Sequence, residues 1–445
     1  MSECKLRIAQ CIEAHPVLNE KEEYRVKYLN VLQYFVERYS KHDIYAQEGL
    51  RLYKEKILRG AQYEYSVCDI KKAAKGAIGT KFKGFKLFSY RYLLLVDCLF
   101  LNAFNQKDRA EVILKEIKEI YHPRYHKKIE LLFKGLYVDN DVLSAYKGME
   151  YQFDCWIKNK KFIETQSKNI LIVANMSAGK STLINALIGK KINRTKNDAC
   201  TAKVHYIYNK PYEDGYSYEL DGELSLNADL DALMCDNPAN RNDFIEVSTF
   251  FRVGTELTKR VCIVDTPGVN SFLDTEHHDL SYDIIANENY EVLVCVLNAS
   301  NIGTNDDKTL IKYLIQFSKE KKIVFVVNQL DRFDEEEDSI EECLNNVQHD
   351  ISSLGYENIC ICPVSGYAGV LAKKYIHNEI LTEVEKMELQ IFIMKFQKYY
   401  EAMKKYFVQS SEYVGFSEHE DTLKEKCYRL LEMAGILNLE KVLFD

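Results

Sequence analysis

The chain has 445 residues, more than one average domain, with 47% hydrophobic and 28% charged residues, a balance that excludes a disordered or collagen-like chain. Its net charge of −8 is unevenly shared: residues 1–160 carry +8 and the remainder −16. The basic amino-terminal part can meet anions such as lipid head groups, although separate solvation of two domains is the plainer reading, and no nucleic-acid partner is expected. Thirteen cysteines, scattered apart from Cys360 and Cys362, and a start of Met1-Ser2-Glu3-Cys4 without the cationic and apolar regions of a secretory signal fit a reducing compartment. A cytoplasmic location, with peripheral membrane contact, is expected. The apolar stretch Tyr92 to Phe104 is too short to span a bilayer and is broken by Asp97 and Asn102.

From residue 1 to 161 apolar residues recur three and four apart, as in Tyr24, Tyr28, Leu29, Leu32 and Val36, so a helical bundle is expected there. Polar breaks at His42-Asp43, Gly76 to Gly84, Asn105-Gln106 and Asp139-Asn140 divide it into five to seven helices. Within it, Lys71 to Lys86 holds six lysines, three glycines, Phe82 and Phe85 and no acid. That run is either a contact for an anionic membrane or a solvated basic loop.

Beyond residue 162 the pattern changes to short Val/Ile-rich runs alternating with helical segments. The runs Ile170–Ala174, Val204–Tyr208, Val261–Val264, Val292–Leu297, Ile323–Val327 and Ile359–Cys362 imply an α/β domain, 162–445, whose mainly parallel sheet is covered on both faces. Possible strands Tyr216–Leu220 and Ile245–Val253 make the sheet mixed. A helix near Leu381 to Phe407, with Ile391, Phe392, Phe396, Tyr399, Tyr400, Met403 and Phe407 as its apolar stripe, is expected to pack on this domain.

The first strand runs into Ala174-Asn175-Met176-Ser177-Ala178-Gly179-Lys180-Ser181-Thr182, which is a phosphate loop with Ala174 in place of the first glycine. Backbone N–H groups from Asn175 to Thr182 would bind phosphates, Lys180 would supply a point charge and the Ser181 hydroxyl would hold Mg²⁺. Asp265-Thr266-Pro267-Gly268 follows a buried strand; Asp265 is the second magnesium anchor and the Gly268 N–H meets the γ-phosphate. Asn328-Gln329-Leu330-Asp331 fills the slot of a guanine reader, in which Asp331 accepts from the two guanine donors that adenine lacks, and Gln329 stands where a lysine stem covers the base. Ser365, in Pro363-Val364-Ser365-Gly366, opens a turn expected to contact the base edge through its backbone. Thr201, before the strand at Val204, is the expected switch hydroxyl on Mg²⁺, with Thr195 as the alternative. Cys360 and Cys362 have no matching Cys/His pair for zinc.

Taken together, Ser177 to Leu187, Cys200-Thr201-Ala202, Asp265 to Gly268, Asn328 to Asp331, Leu297-Asn298-Ala299-Ser300, Gly303 to Asp307 and Ala434 to Glu440 resemble the dynamin family, especially its bacterial members, over about residues 165–445. The resemblance implies GTP hydrolysis to GDP with Mg²⁺, stimulated when two GTPase domains face each other, whether of two copies or of a related dynamin-like partner chain. It also implies a monovalent cation near Ser177 and a water placed by Thr201. Met176 stands where eukaryotic members have a glutamine. The stalk and lipid-binding tip of membrane-remodelling members do not follow Asp445, so a partner chain is expected to supply them, with residues 1–161 as part of a neck or trunk. A nucleotide-gated scaffold with negligible hydrolysis and an ATPase are the alternative readings.

Overall fold

The computed structural model describes residues 5–77, 86–192, 203–233, 244–254, 257, 259–267, 282–317, 321–333, 339–408 and 422–445. The chain forms two compact units, one of residues 1–165 with 210–228 and one of 166–209 with 229–445.

Seven α-helices build the first unit among the described residues: α1 (Glu22–Tyr39), α2 (Ile44–Leu58), α3 (Ile70–Ala77), α4 (Lys86–Ala103), α5 (Lys107–Ile120), α6 (His126–Tyr137) and α7 (Glu150–Glu164). Asp43, between α1 and α2, caps the second of these, its Oδ1 accepting from the Tyr45 and Ala46 N–H groups at 3.1 and 3.4 Å. The apolar run through Tyr92 lies in α4 and is core. Its Asp97 is buried and accepts from Tyr53 Oη at 3.2 Å, from Tyr28 Oη and from His15 Nε2 at 2.8 Å. Three donors around one carboxylate are what allow it to sit in an apolar core.

The segment 210–228 belongs to this helical unit, whereas its sequence position had placed it in the α/β half. It forms a hairpin of β3 (Tyr218–Asp221) and β4 (Glu223–Ser225). Asp214 accepts from the Gln10 N–H at 2.7 Å, Tyr218 Oη donates to the Ile8 carbonyl at 2.7 Å, and Asn159 of α7 brackets Ala9 through both its amide atoms at 2.8 and 2.9 Å. These long-range polar contacts carry no periodicity, which is why sequence patterning assigns the segment to its chain neighbours.

In the second unit the strands β1 (Ser167–Ala174), β2 (Val204–Asn209), β5 (Phe244–Thr249), β6 (Arg260–Asp265), β7 (Val292–Asn298), β8 (Lys322–Asn328) and β9 (Cys360–Pro363) lie in the order β5-β2-β6-β1-β7-β8-β9. β2 runs antiparallel to β6 and parallel to β5; the pairings of β1 with β6 and β7, of β7 with β8 and of β8 with β9 are parallel. Residues Ile170 to Ala174 and Val292 to Leu297 are buried without alternation, the signature of strands covered on both faces. The sheet is thus α/β and mixed, as the strand pattern predicts.

Helices α8 (Lys180–Ile188), α9 (Asn305–Phe317), α10 (Ile340–Ser353), α11 (Gly366–Ile376), α12 (Glu383–Met403), α13 (Leu423–Met433) and α14 (Ile436–Phe444) are the longer helices of this unit among the described residues. The last two pack against the end of β9 and against α11. Gly435 has φ 74°, and a Cβ there would stand 2.1 Å from the Pro363 carbonyl oxygen, so only glycine lets α14 start against the end of β9. Deeper in, Lys373 of α11 donates to Glu440 of α14 at 2.5 Å and to the Leu187 carbonyl of α8 at 3.1 Å, with both charged side chains 2% exposed. Burial pushes the Lys373 ammonium below the usual lysine range, and the Glu440 carboxylate opposes that shift. Glu440→Ala is expected to destabilise this unit by about 3–5 kcal/mol in urea unfolding, because it strands a buried ammonium, and the apolar pair Lys373→Met with Glu440→Leu to recover most of that loss.

Candidate functional site

Five strand ends and loops converge at the carboxyl edge of the parallel sheet. β1 delivers Asn175 to Gly179 and then α8, whose first residue is Lys180. The turn needs two left-handed residues, Gly179 at φ 79° and Ser177 at φ 63°. A side chain at position 179 would meet Asn328 Nδ2 at 2.7 Å, so glycine is required there by space as well as by conformation. Ser177 has no such freedom, and its strained backbone turns its carbonyl towards the amides of Gln329, at 2.6 Å, and Asn298, at 3.5 Å. Ser177 and Met176 are exposed, whereas Ala178 is buried.

Lys180 is 9% exposed and its ammonium is paired with Asp265, itself 1% exposed, at the end of β6. The same ammonium donates to the Thr266 carbonyl, and Thr266 Oγ1 donates to the Ile172 carbonyl of β1 at 3.1 Å. β1 and β6 are adjacent and parallel, which brings the phosphate-loop lysine and this carboxylate together across 85 residues of sequence. Ser181 and Thr182, at the start of α8, are half-buried beside them. A carboxylate and a serine hydroxyl at a helix N-terminus are hard oxygen donors, so the set present fits Mg²⁺, which takes few protein ligands and completes its shell with water and phosphate.

β8 delivers the loop expected to read the base. Asn328 donates to the Ala178 and Gly179 carbonyls at 3.0 and 3.3 Å and accepts from the Gly366 N–H at 2.9 Å, tying the phosphate loop to α11. Gln329, at φ 69°, is anchored to Ser177 by its Nε2, while its Oε1 is buried without a hydrogen-bond partner among the described residues. Asp331 is held by Ser365, whose hydroxyl donates to Oδ1 at 2.5 Å and accepts from the Ala368 N–H at 3.1 Å as the N-cap of α11. The Ser365 N–H donates to the Ala434 carbonyl at 3.0 Å, so that group of the turn is engaged within the domain.

Thr201, Thr195 and Gly268 lie outside the described residues, as do residues 78–85 of the lysine-rich run. Asp307, Lys395 and Tyr367 were not singled out individually by sequence pattern, and Phe392 only as part of a packing stripe. Asp307 of α9 accepts from Asn175 Nδ2 at 2.7 Å, and Lys395 of α12 fixes the reader loop by donating to the Asp331 carbonyl at 2.8 Å. Tyr367 and Phe392 line a cleft of about 830 Å³ that Ser177, Gly179, Asn328 and Asp331 also line, a volume that fits a nucleoside. The sequence signal of Phe392 was its placement in a helical stripe, which reports packing and not the ligand.

This strand-loop-helix with its paired acid and base-reading loop defines a P-loop nucleotide-binding domain. A model of the dynamin family matches residues 170–330, and that segment is a dynamin-family GTPase domain. Among curated proteins, an uncharacterized protein in the xynA 3′ region of Caldicellulosiruptor sp. is 30% identical over 52% of this chain and 56% of its own length. A probable transmembrane GTPase, FZO-like, of Arabidopsis thaliana chloroplasts is 27% identical over 46% of this chain and 20% of its own length. Dynamin-like protein 2 of Campylobacter jejuni is 23% identical over 51% and 36%. The chain therefore spans little more than half of the first relative and a minority of the other two. Solved structures include an Era variant of Aquifex aeolicus bound to GDP and aluminium fluoride, at 16% identity, 48% of this chain, 56% of that chain and a TM-score of 0.29. Such a score is too low to bear on mechanism.

No described helix is long and apolar enough to cross a membrane. Asn328→Ala removes the amide that joins three loops; its guanine-nucleotide affinity is expected to fall about 10- to 100-fold in fluorescence titration, since two or more hydrogen bonds of about 1 kcal/mol each are lost with the loop geometry.

Proposed function

We propose that this protein binds GTP with Mg²⁺ and hydrolyses it to GDP and phosphate, faster when two such domains associate. The observation that carries the reading is the joint placement of Lys180 against Asp265 and of Asp331 against Ser365 at one sheet edge. The first pair is a charge-matched arrangement that a magnesium-bound triphosphate can take over, with Lys180 turning to the phosphate oxygens. Mg²⁺, when bound, would be held by Asp265 and the Ser181 hydroxyl and would neutralise the phosphate charge. The second pair holds a carboxylate whose remaining lone pairs match the N1 and N2 donors of guanine, so a base without them leaves it unsatisfied. Exposed Ser177 and Met176 lie at the mouth of the phosphate loop, where a monovalent cation near Ser177 and a facing domain would act. Thr201 is proposed as the switch hydroxyl and Gly268 as the γ-phosphate contact.

An ATP-binding reading draws on Gln329, whose amide is committed to Ser177 and does not supply the usual cationic stem. Competition of GTP and ATP against a fluorescent guanine nucleotide separates the two, and Asp331→Asn is expected to exchange guanine for xanthine preference because one acceptor becomes a donor. Lys180→Ala is expected to lower nucleotide affinity on the order of 100-fold, the loss of a charge-assisted contact. Thr201→Ala should spare binding and slow turnover. Specific GTPase activity should rise with protein concentration; activity that stays flat and negligible favours a nucleotide-gated scaffold, and parental turnover by Thr201→Ala removes the switch assignment.

A further inference from the structure

Strand β9 is the last of its sheet and has β8 as its single neighbouring strand. Cys360 pairs with Val324 and Cys362 with Val326, so the two-residue period of a strand puts both thiols on one face. Cys360 is half-buried, whereas Cys362 is 1% exposed and its Sγ accepts from Asn438 Nδ2 at 3.9 Å. The two thiols are hydrogen-bonded to each other, and Lys322, at the start of β8, sets a positive charge near Cys360. Among the described residues no further His, Cys, Asp or Glu completes a metal site with them.

We propose that Cys360 and Cys362 form a peroxide-responsive dithiol whose closure to a disulfide loosens the hold of Ser365 on Asp331. The second half of this inference rests on the guanine-nucleotide reading of the site. The hydrogen bond from Cys362, aided by the Lys322 ammonium and opposed by partial burial, brings the Cys360 thiol down to about 7, so much of it is thiolate at neutral pH. The same hydrogen bond and burial push the Cys362 thiol up, and it stays protonated. The Cys360 thiolate attacks one oxygen of a peroxide: an S–O bond forms, the O–O bond breaks, and the other oxygen leaves as water or an alcohol after taking a proton from solvent. The Cys362 sulfur then attacks the Cys360 sulfenic acid: the S–S bond forms, the S–O bond breaks, and the hydroxyl leaves as water with the Cys362 proton. Two thiols lose two electrons and one peroxide is reduced. In a reducing compartment the dithiol is the resting state and the disulfide is transient.

Residues two apart in an extended strand have Cα atoms roughly 6.6–6.8 Å apart, whereas a disulfide favours about 5.5–6 Å, so closure draws β9 in by about 1 Å. A strand paired on one side can pucker without breaking a second ladder. The change falls on the residues directly after Cys362. There the Val364 N–H donates to the Val327 carbonyl at 2.8 Å and the Ser365 hydroxyl to Asp331 Oδ1 at 2.5 Å, the two bonds that tie this segment to the end of β8 and the Asp331 loop.

Hydrogen peroxide added to the intact, reduced chain is the probe. Peptide mass spectrometry is expected to find a disulfide between Cys360 and Cys362. Cys362→Ala should stop at a Cys360 sulfenic acid that dimedone traps, and Cys360→Ser should give neither product. Guanine-nucleotide affinity in fluorescence titration should fall about three- to tenfold on oxidation, the worth of about one hydrogen bond, return with dithiothreitol and stay constant in Cys360→Ser. An oxidised chain without a bond between these two cysteines, a Cys362→Ala variant whose Cys360 gives no dimedone adduct, or an oxidised parent that binds nucleotide as tightly as the reduced one overturns the proposal. A reduced chain that fails to bind guanine nucleotide overturns the reading of the site and with it the coupling, while the disulfide still stands or falls on the mass spectra.

Discussion

The Asn328 side-chain amide is the contact on which the nucleotide site depends. Its nitrogen donates to two carbonyls of the phosphate loop and its oxygen accepts from the first residue of α11, so β8, the loop after β1 and the loop after β9 share one frame. The frame is tight because Gly179 leaves no room between the loop and this amide. A buried amide with both its atoms bonded stabilises by fixing geometry more than by net energy, since each bond replaces one made to water.

Around that frame the support comes from the far end of the chain. The Ala434 carbonyl takes the Ser365 N–H, Gly435 admits α14 against Pro363, and Glu440 neutralises Lys373 beneath α8. Lys395 of α12 holds the reader loop from the other side. The segment after residue 380 is thus part of the domain that carries the Asp331 loop.

The parts that carry chemistry were legible residue by residue. Lys180, Ser181, Asp265, Asn328 and Asp331 could be placed because each follows a buried strand, and a parallel sheet brings strand ends to one edge whatever the loops between them do. Ala174 did not disturb this, since it is buried as the last residue of β1 and the turn relies on Ser177 and Gly179 for its left-handed conformations. Gln329 was legible as a departure from a lysine, but the partner of its amide was not, because a glutamine stem can lie over a base or fold back with equal ease.

What the sequence by itself determined is the alternation of strands and helices, the helical first unit and the strand-end motifs around Lys180, Asp265 and Asn328, since local periodicity and short motifs encode them. Only the tertiary structure decided that residues 210–228 join the helical unit, that the Ser365 N–H goes to Ala434, and that α12 leaves Val384, Met387, Ile391 and Met394 exposed while burying its other apolar face. Each of these rests on contacts between residues far apart in the chain, and the helical stripe near Ile391 shows the reason clearly: periodicity reveals that a face is apolar, while which face is covered depends on what packs there.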